Sequence, residues 1–208
     1  MMNSLVINCS LDKKAKIEEL LSAVKKVSQL VTVRFEEINA GYEVEDNIDA
    51  IILSGSKTRI VTTSHREQFK GVIDSVKCFN LPILGICFGH QLLCWSLGCE
   101  VGSLSAPMKD VFEEVNVVET DEIFAGFEKN EKVLLAESHY DYVTKDSLDR
   151  AGLVLLADSH SCEVETVKHK KKPFYGVQFH PERISIKGQE HLEGQKVIEN
   201  FYGRIVRR

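Results

Sequence analysis

The run Leu81-Pro82-Ile83-Leu84-Gly85-Ile86-Cys87-Phe88-Gly89-His90-Gln91 sets one cysteine between two glycines, after a short apolar segment and before a helix-like one. This order predicts a strand, a sharp turn and a helix with Cys87 at the apex, the geometry of a nucleophile elbow. A thiol at a helix N-terminus faces unpaired N–H groups and the positive end of the macrodipole, which favour its thiolate. Flanking glycines relieve the crowding of a strained turn and let a substrate come close to the backbone. A free cysteine is also among the residue types most often buried, so the same spacing suits a core filler. Both readings stand until a partner histidine is found.

Working outward, the first half of the chain alternates strand-like and helix-like segments. Residues 5–8 form an apolar run, and residues 13–26 follow with Ile17, Leu20, Leu21 and Val24 at helical spacing. Residues 31–35 are β-branched and alternating, and the apolar run 49–53 is closed by Ser54-Gly55-Ser56. Residues 66–78 carry Phe69, Val72, Ile73 and Val76 on one side of a helix; strand 81–86 and helix 89–97 complete the pattern. Such alternation predicts βαβ units and a parallel sheet covered on both faces. The second half reads as strands at 111–118, 132–135, 153–157, 162–168 and 174–179, which suggest a small antiparallel extension, and a last helix over 188–206. The expected architecture is a three-layer α/β fold, with a mostly parallel central sheet and helices on both faces, in a single domain over residues 1–208.

Composition narrows the function classes. A chain of 208 residues with 43% hydrophobic content suits one core. No apolar run approaches the ~20 residues that span a bilayer, and the N-terminal stretch lacks the basic flank of a signal peptide. The six cysteines show no Cys-x-x-Cys pair and no finger-type histidine spacing. Free thiols in a reducing cytoplasm, and no metal, are therefore expected. The net charge of −5 argues against nucleic acid as a partner. The basic run His169-Lys170-Lys171-Lys172 reads as a solvated loop between strands, and Arg204, Arg207 and Arg208 suit the end of a last helix.

The partner histidine lies in Tyr175-Gly176-Val177-Gln178-Phe179-His180-Pro181-Glu182, at the tip of a strand, with a carboxylate two residues on across a turn-fixing proline. A cysteine nucleophile needs a base within hydrogen-bond reach, and the base needs an acceptor to set its tautomer. Cys87, His180 and Glu182 fit these roles, and both motifs follow strands, where sites in open parallel sheets gather.

With these two motifs the whole chain resembles the class I (triad) glutamine amidotransferases. Within them it is most similar to the glutaminase subunits of GMP synthases, through residues 81–101, Ser138-His139-Tyr140-Asp141-Tyr142-Val143 and the block 162–182. The resemblance implies hydrolysis of the glutamine side-chain amide through a Cys87 thioester, with His180 as acid and base and Glu182 orienting it. It implies an oxyanion hole from the backbone of Phe88 and of the Gly55-Ser56 turn. Gln91, Gly89, Ser138, His139 and Tyr140 match positions around bound glutamine and the partner-facing edge. The chain itself would carry no cofactor; ATP and magnesium would belong to a separate synthetase that receives the ammonia. No membrane partner is implied.

Three stretches depart from the family pattern. Ser54-Gly55-Ser56-Lys57 stands where Ser-Gly-Gly-Pro is usual, so Ser56 would have to adopt a positive φ if the second glycine does. Lys57-Thr58 lacks the earlier glycine of a phosphate loop. Arg183-Ile184-Ser185-Ile186-Lys187-Gly188 and Cys9-Ser10-Leu11-Asp12 also differ, and they flank the expected site. Two alternatives accompany the leading expectation: a stand-alone γ-glutamyl hydrolase or peptidase with the same triad, and a non-catalytic regulatory homologue.

Overall fold

A computed structural model describes residues 2–14 and 17–207. In chain order the elements are β1 (Asn3–Asn8), α1 (Glu18–Lys25), β2 (Gln29–Arg34), β3 (Ala50–Leu53), α2 (Thr63–Gln68), α3 (Lys70–Cys78), β4 (Ile83–Ile86) and α4 (Phe88–Ser96). They continue with β5 (Val101–Ser103), β6 (Val111–Val117), β7 (Lys132–Glu137), β8 (Asp141–Val143), β9 (Leu153–Ser159), β10 (Thr166–His169) and β11 (Phe174–Val177). A hairpin of β12 (Ser185–Ile186) and β13 (Gln189–Glu190) precedes α5 (Glu193–Asn200), which runs on into a π-helical turn, Phe201–Val206.

One sheet of nine strands organises the molecule, in the order β2-β1-β3-β4-β11-β10-β9-β6-β7. The strands from β2 to β11 run parallel, and from β11 onward every pairing is antiparallel. Alternation along the central strands decides what each face buries. Val6, Ile52, Leu84 and Ile86 point toward Leu20 and Val24 of α1 and Val197 and Ile198 of α5. Leu5, Ile7, Ile51, Leu53 and Ile83 point the other way, toward Phe69, the α3 residues Val72 and Val76, and Phe88 and Leu92 of α4. The three-layer expectation is met, and its antiparallel part is continuous with the main sheet. A small separate ribbon of β5 and β8 lies beside it.

Three local readings change. The helix expected over 66–78 is two helices, because Phe69 leaves helical geometry at φ −89°, ψ 7° and its ring is fully buried against Phe35 and Phe88. The strand expected over 162–168 begins only at Thr166. The helix expected from 188 begins at Glu193: Lys187 and Gly188, at φ 51° and 83°, form the tight turn of the β12–β13 hairpin instead. The helix expected over 13–26 is described from Glu18; Ala15, Lys16 and Arg208 lie outside the described residues. Among the described residues no helix is long and apolar enough to cross a membrane.

The helix that carries the elbow lies unusually close to the sheet. A Cβ on Gly89 would sit 2.1 Å from the Leu53 carbonyl oxygen, one on Gly85 2.5 Å from the Gly89 oxygen, and one on Gly176 2.3 Å from His90 Nδ1. Gly89→Ala should therefore cost about 1–3 kcal/mol by overpacking against backbone that cannot yield. Gly203→Ala, with nothing within 4 Å of its added methyl, should be neutral or stabilise by up to about 1 kcal/mol. Chemical denaturation midpoints of the two variants check the contrast.

Candidate active site

Cys87 links β4 to α4 with φ 50° and ψ −107°, a conformation that L-residues rarely adopt. It costs on the order of 1–3 kcal/mol, and the surroundings hold it. The Cys87 N–H donates to the Val177 carbonyl at 2.8 Å, and the Cys87 carbonyl accepts the Gln91 N–H at 3.1 Å. The thiol is 3% exposed and contacts the Ser138 carbonyl at 3.7 Å.

His180 leaves the end of β11 three residues after its last strand position, and its N–H donates to the Ala136 carbonyl at 2.8 Å. Its Nδ1–H donates to Glu182 Oε1 at 2.8 Å. That bond turns Nε2 away from Glu182, and the Cys87 thiol acts on the imidazole from across the site. Burial pulls the imidazole toward neutrality, but the facing Glu182 carboxylate and the Cys87 thiol outweigh it and hold the pKa well above the usual histidine value. The turn is braced from behind, where Gly194 at the start of α5 sits so tightly that a Cβ would come within 2.7 Å of the Pro181 oxygen.

Gly55 packs against both Cys87 and His180. A Cβ there would lie 2.9 Å from His180 Cε1 and 3.6 Å from Cys87 Cβ. A cavity of about 810 Å³ opens beside it, lined by Ser56, Lys57, Asp110, Ser138, His180 and Arg183 among others. This size accommodates a small polar metabolite. Arg183 donates to Asp110 at 2.7 Å and lies 3.4 Å from Glu19, tying the turn after Glu182 to the cavity rim.

The remaining candidates separate into two groups. Phe88 N–H is in the first helical turn, where no intrahelical acceptor exists, while its ring is buried against Phe69. Neither Gly55 nor Ser56 takes a positive φ, so the strain expected at Ser56 is absent. The Ser56 hydroxyl instead accepts the Thr58 N–H at 3.0 Å and pairs with the Thr58 hydroxyl at 2.6 Å, closing its own small turn. Of the residues matched to the substrate side, Ser138 lines the cavity. Gly89 is pressed against Leu53. Gln91 is buried and donates to the Asp141 carbonyl at 2.7 Å and to Gln178 Oε1 at 3.0 Å, so it fixes the 138–141 loop from behind. His139 is buried, donates from Nδ1 to the Asp141 carbonyl at 3.1 Å, and is held toward its neutral form chiefly by burial. Tyr140 is half-buried under the Arg59 guanidinium, 3.9 Å above its ring.

Sequence reasoning included Asp141 in the 138–141 loop but missed its partner Arg59, and it assigned no role to Gln178, Glu137 or Glu165. Arg59 donates to the buried Asp141 carboxylate at 2.8 Å and to Ser103, joining the loop after β3 to the ribbon of β5 and β8. Asp141 stands within the Ser138-His139-Tyr140-Asp141 motif, whereas Arg59, 82 residues upstream, carries no local mark. Among the described residues no group of three or more potential ligands is arranged to hold a metal.

The raised His180 value has a definite sign. Its contribution to stability is complete below the unfolded value near about 6.5 and is lost as pH rises through the higher folded value. In Glu182→Gln the main raising influence is removed, so the His180 ring should titrate at lower pH, as followed by its imidazole NMR signals. An unchanged titration would show that Glu182 does not set its charge.

Comparison with known proteins identifies the family. Residues 5–202 match the family model for glutamine amidotransferase class-I. The A-type component of the glutamine-hydrolyzing GMP synthase of Methanothermobacter thermautotrophicus is 33% identical over 202 residues, covering 95% of each chain. The protein of the same name from Methanocaldococcus jannaschii is 36% identical over 189 residues, covering 89% of this chain and 88% of its own. Among solved structures, a putative A-type GMP synthase component from Thermoplasma acidophilum superposes with a TM-score of 0.79 at 25% identity, covering 98% of this chain and 93% of that one. The chain belongs to the class I glutamine amidotransferase family.

Proposed function

We propose that the chain is the glutaminase component of a two-part amidotransferase of the GMP synthase kind, and that it supplies ammonia to a separate ATP-dependent synthetase. The observation that carries the reading is the approach of Cys87 and His180 to Gly55, with Glu182 bonded to His180, where Gly55, His180 and Glu182 line a cavity of about 810 Å³. The names of relatives matched along nearly their full length support the partner and the acceptor class.

In this mechanism one proton is shared between Cys87 Sγ and His180 Nε2, while Nδ1–H stays on Glu182. Sγ attacks the glutamine amide carbon, and the carbonyl oxygen becomes an oxyanion. The N–H groups of Phe88 and of the Gly55-Ser56 turn stabilise it, each such donor being worth about 10²–10³ in turnover. His180 gives its Nε2 proton to the amide nitrogen, the C–N bond breaks, and ammonia leaves a glutamyl thioester on Cys87. His180 then takes a proton from water, whose oxygen attacks the thioester; the C–S bond breaks and glutamate departs. ATP and magnesium belong to the partner, and the thiol chemistry suits a reducing cytoplasm.

Cys87→Ala should lose all ammonia release from glutamine while keeping its circular dichroism spectrum and unfolding midpoint. A glutamine-analogue electrophile should label Cys87 in the wild type, and added synthetase partner should accelerate glutamine turnover. Retained glutaminase in Cys87→Ala would end the mechanism. Full activity on γ-glutamyl peptides without any partner would instead identify a free-standing hydrolase.

A further inference from the structure

Two acids that the mechanism does not use lie behind the site. Glu137 closes β7 and Glu165 immediately precedes β10; both are 0% exposed. Their carboxyl groups face one another within hydrogen-bond reach. Among the described residues no lysine or arginine pairs with either. Glu165 accepts the Ser159 hydroxyl at 2.7 Å, and Glu137 Oε2 lies 3.4 Å from His139 Nε2, with Glu113 also facing the pair. Two buried carboxylates this close cannot both ionise, so the pair shares a proton. Burial and mutual repulsion push the Glu137 carboxyl well above the usual range, and burial raises that of Glu165 to about 7.

The backbone around this pair explains its place. The Glu165 carbonyl accepts the Gln178 N–H at 2.7 Å, and the carbonyl of Ala136, next to Glu137, accepts the His180 N–H at 2.8 Å. The residue after Glu137 is Ser138, whose carbonyl meets the Cys87 thiol. The two acids thus join, side chain to side chain, the two segments that grip residues 178–180 from either side. An apolar pair could fill the volume, but it would have no directional bond between the segments.

We infer that the Glu137–Glu165 acid pair is a positioning clamp that holds the His180 imidazole and the Ser138 carbonyl in register with Cys87. The inference rests on the proposed glutaminase reading, which it deepens.

The test uses the full chain in a Cys78→Ser background, because Cys78 is exposed. Iodoacetamide alkylation of the Cys87 peptide is followed by mass spectrometry at pH 7 and pH 10, alongside glutamine turnover with the synthetase partner. Glu137→Gln keeps a donor for Glu165 and should stay near wild type in both assays. Glu137→Leu should slow alkylation at pH 7 but not at pH 10, where cysteine thiols in general are ionised without a neighbouring base. It should also lower kcat by about 10²-fold, the scale of a misplacement near 1 Å, with KM for glutamine little changed. If Glu137→Leu behaves like the wild type, if Glu137→Gln loses as much as Glu137→Leu, or if the loss is equal at both pH values, the clamp is overturned. If Glu137→Leu does not fold, Ser159→Ala, which frees Glu165 from its hydroxyl donor, must slow the pH 7 reaction relative to pH 10, and an unchanged ratio overturns the proposal. Alkylation needs no glutamine, so a wild type that fails to hydrolyse glutamine while showing the alkylation pattern defeats the glutaminase reading alone.

Discussion

The close seating of α4 on the ends of β3, β4 and β11 is the constraint on which the rest of the molecule depends. Backbone meets backbone there with no side chain between: Gly89 against Leu53, Gly85 against Gly89. Only at this distance can the chain reverse within one residue, and the positive φ of Cys87 is the result. The strain at that residue is offset by the apolar contacts of Phe88, Leu92 and Leu93, all buried on the same face of the sheet. Helix packing thus sets the direction of the thiol, and the thiol's neighbours need only meet it.

β11 is the seam of the sheet. It pairs in parallel with β4 and antiparallel with β10, so the thiol and the imidazole leave adjacent strands at the same end. The antiparallel half then curls until its last strand, β7, returns to the seam and accepts the His180 N–H. One half of the fold supplies Cys87 and the other supplies the frame around His180. The 138–141 loop is held from three directions, by Gln91 of α4, by Arg59 of the loop after β3, and by the pairing of β5 with β8.

The parallel half was legible because its signal is local. Short strands of four to six residues and amphipathic helices alternate from residue 5 to residue 97, and the elbow motif marks its own apex. The positions of Cys87, His180 and Glu182 could be read for the same reason, since each follows a strand with glycine or proline within two residues. The break at Phe69 was hidden, because its aromatic ring fits the helical stripe equally well as a continuation. The Lys187-Gly188 hairpin was hidden by a charged stretch that resembles a helix start. Glu137 and Glu165 were invisible for a deeper reason: acids next to apolar strands read as solvent-facing, and only tertiary pairing makes their burial tolerable. The Ser56 turn shows the converse, where a sequence departure suggested backbone strain and a hydroxyl-closed turn removed it.

Gly55 has a meaning beyond the space it leaves open. Its α-carbon stands against His180 and Cys87 at once, with 2.9 Å to His180 Cε1 and 3.6 Å to Cys87 Cβ from the Cβ it lacks. It acts as a feeler gauge between the Cys87 Cβ and the imidazole edge, with the bare main chain setting the tolerance. Gly55 itself has no rotamer through which that tolerance could be adjusted. The room left to Cys87 and His180 is therefore written into the path of the chain as it leaves β3.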